Sequence, residues 1–445
     1  MKSTSSPSLH AERPDYSTDR FCPLRIMEVE LTSPLPGLDF DGQYRRAWVL
    51  ARVHTEPIGV CIVEVDQEGV TPDELAGLIW EELSGPIVKR FVDARIPVPV
   101  ALTGGGLESN PEAWPFLRER SAMLADPPFI SVVICTRDRP EQLGRCLGRL
   151  RSQKYPRFEV VVVDNAPRSG AVQSIVAAHR ADGANFRHCI EPRPGLSWAR
   201  NAGIAAVAGE IIAFLDDDDE PDEYWLVGIA VGFVRSDRIG SVTGVILPAR
   251  LHSRAEFLFE EVGGHGKGRG FGRETFSNSG GQSPLFPLPP FGTGANMAYR
   301  REVLNRIGGF DVALGAGTPT SAGEDTLALT LTMLAGYEIA YEPTALMWHH
   351  HREEVEDLNR QLHGYSIGLT AFYAALIIRR PSVIPGLIKL LPAALSYVRR
   401  AIVAAPAGSS GASNGLYRRH IRGMFAGPGA YVRSVFKQRR AANLE

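Results

Sequence analysis

From Ile130 onward the chain alternates short apolar runs with stretches in which apolar residues recur every three or four positions, a rhythm that predicts strands and helices taking turns. Ile130–Cys135 reads as a strand. Leu143, Leu147 and Leu150 give the buried stripe of the helix after it, with Asp138 as its cap and Glu141 three residues on. Val160–Val163 and Phe186–Ile190 read as further strands, a helix is expected from Ser197 through Ala208, and Glu210–Leu215 reads as a strand that runs straight into Asp216-Asp217-Asp218-Asp219. Such alternation predicts βαβ units and an α/β fold with a mostly parallel sheet flanked by helices, in which ligands bind beyond the carboxyl ends of the strands.

The pattern before residue 126 is different. After a polar tail over 1–19, Ala47–Val65 predicts two strands around a turn at Glu56-Pro57-Ile58-Gly59. Thr71-Pro72-Asp73-Glu74 predicts a capped helix carrying Leu75, Leu78, Ile79 and Leu83 and stopped by Ser84-Gly85-Pro86. Residues 20–125 thus read as a small α/β module with no cluster of chemical groups, suited to docking. Residues 251–292, rich in Gly, Ser and Pro, read as a long loop bordering the site.

Residues 363–445 read as a helical tail, apolar and then basic. Its apolar stretches are broken by Arg379, Arg380, Pro381, Pro385, Lys389 and Pro392 before a membrane-spanning length accumulates. From Arg399 onward nine Lys or Arg face one acidic residue, Glu445, a balance that predicts attraction to anionic lipid from the cytoplasmic side and a tail that can be deleted without unfolding the rest.

Lys plus Arg number 48 against 50 Asp plus Glu, so the net charge of −2 gives no reason to expect a nucleic-acid partner. Five cysteines without metal-ligand spacing suit a reducing compartment, and the polar N-terminus does not read as a secretory signal. The expected location is cytoplasmic, at the inner face of the plasma membrane.

Four consecutive aspartates at a strand's end are costly to crowd unless a cation neutralises them. Mn2+ or Mg2+ would take oxygen ligands here and bridge to the phosphates of a substrate. A solvated acidic turn, with Asp219 or Glu220 capping a helix over 223–234, is the structural alternative.

In order along Phe129–Arg352, several motifs resemble the family-2 glycosyltransferases. They are Ile130–Arg137, Val163-Asp164-Asn165, Arg193-Pro194-Gly195-Leu196-Ser197 with Ala199-Arg200-Asn201, the aspartate run, Gly292–Met297 before Gly308-Gly309-Phe310-Asp311, and Glu324-Asp325. The resemblance implies a Rossmann-like A-type catalytic domain over 126–362 that moves a sugar from a nucleotide-diphosphate donor, UDP-linked by default, to a glycan, lipid-linked or small-molecule acceptor with inversion. It implies Thr136, Arg137, Asp164, Arg200, Asp216 and Asp217 as donor-binding, Asp216 and Asp218 as the metal pair, and Asp325 as general base beside Glu324. A histidine of His349-His350-His351 is placed near the metal, with His349 or His351 able to ligate it and His349 taken for the metal set. A Gln-x-x-Arg-Trp motif, which the resemblance associates with processive synthases, does not follow Arg360-Gln361. A sugar nucleotidyltransferase and a catalytically inactive nucleotide- or carbohydrate-binding scaffold are the rival readings.

Overall fold

The computed structural model describes residues 21–442 apart from 41, 43, 262, 267–268, 279–282, 287 and 404–410, so the tail expected over 1–19 lies outside the described residues. The chain begins with β1 (Leu24–Glu30), β2 (Arg46–Val53) and β3 (Glu56–Glu64), a three-stranded sheet in which β1 is parallel and β3 antiparallel to β2. The reversal falls at His54-Thr55, both at positive φ (48° and 72°), and not at Glu56–Gly59 as the pattern suggested. Glu30 explains why: its carboxylate accepts the backbone N–H of His54 at 2.9 Å and of Thr55 at 2.8 Å, satisfying a two-residue turn.

The helix α1 (Pro72–Ala94) starts with the expected capping box, Thr71 accepting from the Glu74 N–H while Glu74 accepts from the Thr71 N–H. It does not stop at Ser84. Leu83, Ile87 and Phe91 carry its buried stripe past Pro86, and packing on the sheet outweighs the one N–H that proline removes. With α2 (Pro115–Ala125) and buried Trp114 it closes a core of its own.

Beyond Ala125 the predicted alternation is realised as β4 (Ile130–Thr136), α3 (Pro140–Arg151), β5 (Phe158–Asn165), α4 (Ala171–Ala181), β6 (Phe186–Glu191), α5 (Leu196–Ala206) and β7 (Ile211–Asp216). The helix α3 begins at Pro140, since the residue before a proline resists helical geometry; Asp138 sits at φ 54° and accepts the Arg168 N–H instead of capping. Next come β8 (Asp219–Pro221), α6 (Trp225–Val234), β9 (Ile239–Thr243) and β10 (Ile246–Pro248). The expected long loop contains α7 (Arg254–Glu261) and β11 (Glu274–Phe276), and is followed by β12 (Asn296–Arg300), α8 (Arg301–Ile307), α9 (Glu324–Leu334), β13 (Glu338–Tyr341) and β14 (Met347–His349).

Eight strands form the central sheet in the order β11-β13-β9-β12-β7-β4-β5-β6. The pairs β4/β5, β5/β6, β4/β7 and β13/β9 are parallel, whereas β12 runs antiparallel between β7 and β9. This is the mixed α/β architecture, largely parallel and helix-flanked, that the pattern predicted. The chain lays down β5 and β6 on one side of β4 and then returns to place β7 on the other, which makes the carboxyl ends of β4 and β7 a switch point where a crevice opens. A second small sheet, β10-β14-β8, brings His349 at the end of β14 to that crevice.

The N-terminal sheet is joined to this body by buried contacts. Arg52 donates to Asp222 at 2.6 Å, Trp48 meets Trp348 edge-on, and Glu56 pairs with Arg273, which also reaches Glu342 at 2.9 Å. At the other end α10 (Val355–Arg379), α11 (Ile384–Val403) and α12 (Gly411–Ala442) follow. Among the described residues no single helix is long and apolar enough to cross a membrane; α10 with Pro381–Ala393 passes that test only as a pair bent by 110°. The expectation that the tail is dispensable is corrected by α12, which packs along α10. Ala430, Tyr431 and Ser434 are buried, the Tyr431 hydroxyl donates to Asp311, Thr370 donates to the Met424 carbonyl, and Trp198 donates to Gln438.

Candidate active site

At the switch point lies an open cleft of about 1010 Å³. Its walls bring together residues from Cys135–Arg139, Asp216–Asp218, Thr293–Ala295 and Gly323–Thr326, and α10 adds Gln361 and Tyr365. The strand register explains the first two groups: Cys135 sits opposite Asp216, so β4 and β7 end side by side. The Thr136 hydroxyl donates to Asp217 at 2.7 Å, and Arg139 donates to Asp217 at 3.0 Å and to Asp218 at 3.3 Å. Arg137 lines the cleft beside them.

The four aspartates therefore do not share one environment. Asp216 turns toward Arg200 at 3.4 Å, Asp217 is held by Thr136 and Arg139, and Asp218 faces Arg139 with the Arg352 guanidinium 3.9 Å away. Asp219 is wholly buried and accepts from His349 Nδ1 at 2.7 Å, while its second oxygen has no hydrogen-bond partner. Burial pushes the Asp216, Asp217 and Asp219 carboxyls upward, with repulsion from their neighbours adding to it and Arg200 opposing it at Asp216.

His349 arrives by sheet pairing. The antiparallel register of β14 on β8 sets Trp348 opposite Glu220 and His349 opposite Asp219, which brings the side chains of each facing pair together. Asp218, Asp219 and His349 each offer a ligand atom within 4.8 Å of the others. Divalent oxygen-preferring cations fit such a donor set, and the orphaned buried oxygen of Asp219 is the observation that favours one. Of the metal set expected from sequence, the structure groups Asp218 and His349, adds Asp219, and directs Asp216 to Arg200.

Arg200, 1% exposed, is the hub of the deeper wall. It donates to Glu324 at 2.8 Å, to Asp216, and to the Gly294 carbonyl at 3.1 Å. Burial and the nearby Asp325 push the Glu324 carboxyl up to about 7 despite Arg200. Asp325 opens α9, where one oxygen accepts the Thr326 N–H at 2.6 Å and the other accepts the Gly294 N–H at 2.6 Å. Gly294 permits that approach, since a Cβ there would sit 3.0 Å from the Asp325 Cβ and 3.1 Å from the Arg200 guanidinium.

Asp164 is placed differently from its neighbour. Its side chain is 2% exposed and bonded to His188 at 3.3 Å, whereas Asn165 lines the cleft, donating to the Arg193 carbonyl and accepting the Gly195 N–H. Residues that the sequence reading left out of the site are Arg139, Asp219, Asn165, Gln361 and Tyr365. Of these, Arg139, Asn165 and Asp219 carried a signal, the first as a basic residue two positions past Arg137, the second inside the Val163-Asp164-Asn165 motif and the third inside the aspartate run.

An α/β body with a crevice at its switch point, walled by carboxylates and arginines, has its groups where sheets of this kind take their ligands. Residues 131–308 match the sequence model of glycosyl transferase family 2, and the chain carries a family-2 glycosyltransferase domain. The glycosyltransferase AglE of Haloferax volcanii is 37% identical over 107 residues, 23% of this chain and 35% of that protein. The pre-mycofactocin glycosyltransferase of Mycobacterium tuberculosis is 25% identical over 319 residues, 68% of this chain and 55% of its own. Several curated relatives are matched over about half of their length. Among solved structures, the mannosyltransferase PcManGT from Pyrobaculum calidifontis in complex with GDP-Man and Mn2+ is 21% identical, with a TM-score of 0.44 over 73% of this chain and 94% of that one.

Proposed function

We propose that the cleft binds a nucleoside-diphosphate sugar with a divalent cation and transfers the sugar, with inversion, to an acceptor hydroxyl. The observation that carries this reading is the pairing, in one cleft, of Asp218 and His349 on one wall, backed by buried Asp219, with the Asp325 carboxylate on another. Asp218, Asp219 and His349, with Asp216 alongside, would hold Mn2+ or Mg2+, which supplies charge neutralisation for a departing diphosphate. Thr136, Arg137, Arg139 and Asn165 border the space for the nucleotide, and their hydrogen-bonding groups suit base, ribose and phosphate. Asp325 is oriented by two backbone N–H groups and acts as general base on the acceptor hydroxyl. Glu324 and Arg200 fix that corner of the wall.

UDP is the favoured base carrier, on the likeness of the motifs alone, and a lipid-linked or glycan acceptor fits an open cleft bordered by α10. The protein works at the cytoplasmic face of an anionic membrane in this reading. Support comes from α12, where Phe425, Val432 and Phe436 are exposed at helical spacing beside Arg433, Lys437 and Arg440.

The first test is a melting-temperature titration with UDP, GDP and dTDP, each with and without Mn2+. A stabilisation by one nucleotide that needs the metal and is lost in Asp218→Ala supports the donor site. No stabilisation by any nucleotide overturns it.

A further inference from the structure

Behind the carboxylate group lies a second cluster of a different kind. His349 ends β14 and His351 follows just beyond it, their rings in contact, and His265 comes in from the segment after α7. The three rings pack at centroid distances of 4.7 Å (His265 to His349), 5.2 Å (His349 to His351) and 6.0 Å (His265 to His351), and each residue is at most 8% exposed. One nitrogen of each lies within 4.8 Å of the other two. Two of the rings are already oriented by carboxylates, Asp219 at His349 Nδ1 and Glu260 at His351 Nε2, both at 2.7 Å. A proton held on each of those nitrogens leaves the lone pair on the other, and the His351 Nδ1 so exposed is buried without a hydrogen-bond partner. Carboxylates that fix imidazoles by their far nitrogen are the outer shell of transition-metal sites.

We propose that His265, His349 and His351 form a transition-metal site, sharing only His349 with the oxygen-rich group, that takes Zn2+ through three imidazole nitrogens. All-nitrogen donation suits Zn2+ and disfavours Mg2+ or Mn2+. Small ring rotations bring the nitrogens from their present spacing to Zn–N lengths of about 2.0–2.1 Å. His265 and His349 also line the cleft, so the fourth coordination position opens toward it and is left to water or a ligand oxygen. Phe259, whose ring packs 4.7 Å from His351 and 5.0 Å from His265, closes the apolar side. Occupation of this site constrains the other one. Zn2+ on His349 Nε2 needs the proton on Nδ1, whereas a cation shared with Asp218 and Asp219 needs Nδ1 bare, so a single imidazole proton sets the two sites against each other. That competition rests on the reading of the carboxylate group given above; the three-histidine site does not.

The test uses the full-length protein stripped of metal and titrated with Co2+ as a spectroscopic substitute for Zn2+, followed by Zn2+ displacement. Wild type should show the intense visible bands of tetrahedral Co2+ at a single equivalent, bleached by Zn2+. His351→Ala should abolish them, and Glu260→Gln, which keeps the ring but not the carboxylate, should weaken binding by about 10–100-fold. Asp218→Ala should leave the bands in place, which separates this site from the carboxylate group. Absence of tetrahedral bands in wild type, or bands unchanged in both His351→Ala and Glu260→Gln, would overturn the proposal whatever the outcome of the nucleotide titration.

Discussion

Arg200 donates to Glu324 across 2.8 Å with both side chains buried, and the same guanidinium faces Asp216. One cation thus ties the end of β7 to the start of α9, the two walls between which the proposed chemistry takes place. Arg200→Met leaves the buried Glu324 carboxyl and that of Asp216 without their shared hydrogen-bond donor. It should cost about 3–5 kcal/mol in urea unfolding at neutral pH. Unfolding within 1 kcal/mol of wild type, at about the error of such a comparison, would show that the pair is not structural.

The same pair fixes a pH dependence. Burial raises the folded carboxyl of Glu324 from its usual range to about 7, so between about pH 4.5 and 7 the folded chain holds a proton that the unfolded chain has released. Stability from this group is therefore present at the acid end and lost as pH rises through 7, with a slope of at most about 1.4 kcal/mol per pH unit. Glu324→Gln should flatten that part of a stability profile; an unchanged slope assigns it to other groups.

In the proposed reaction Asp325 has two tasks, holding two backbone N–H groups and taking the acceptor proton. Asp325→Asn keeps a carbonyl for one backbone N–H but sets an amide donor against the other, either Gly294 or Thr326, so the expected loss of stability is about 1–3 kcal/mol. Transfer should fall about 10²–10⁴-fold while metal-dependent nucleotide binding persists. Measuring kcat beside nucleotide affinity separates the two tasks, and equal loss of both would remove Asp325 as the base.

Gly244, just past β9, has no room for a side chain. A Cβ there would overlap the Ala345 carbonyl and lie 2.6 Å from the Asn296 amide, which itself donates to Ala345 and Val245. Gly244→Ala must shift the 342–346 segment that delivers β14. A drop in melting temperature of several degrees is expected, with weaker Mn2+ dependence of nucleotide binding, because His349 is carried by that strand. Wild-type values in both would mean that the segment yields freely.

Membrane contact through α12 is tested on its surface, since removing the helix would uncover Ala430, Tyr431 and Ser434. Phe425→Ser with Phe436→Ser should reduce sedimentation with anionic vesicles by about tenfold and leave the melting temperature in place. Unchanged sedimentation would discard the contact.

The parallel half of the sheet was legible because β4, β5 and β7 are buried on both faces and write themselves as unbroken apolar runs, with Leu143, Leu147 and Leu150 marking α3 between them. The aspartate run advertised the cleft for the same reason, since it follows such a strand. What stayed hidden was long-range pairing. The strands β8 and β14 are three residues each, Asp219–Pro221 and Met347–His349, too short for a period, and nothing local says that His349 faces Asp219 across 130 positions. Pro86 misled because its local cost is fixed while the packing that overrides it, Leu83 to Phe91 against the sheet, is decided elsewhere. Glu260 and His265 lay in a stretch whose composition reads as loop and whose chemistry depends wholly on where α7 docks.

The buried pair of Arg52 and Asp222 also has a meaning for synthesis. The two residues are 170 positions apart. At ordinary elongation rates Arg52 leaves the ribosome roughly ten to thirty seconds before its partner. Through that interval the N-terminal sheet can fold on its own core yet keeps an arginine, Trp48 and Glu56 facing water that the finished protein excludes. The nascent chain therefore carries a temporary sticky face, and the arrival of β8, and later of Trp348, is what closes it.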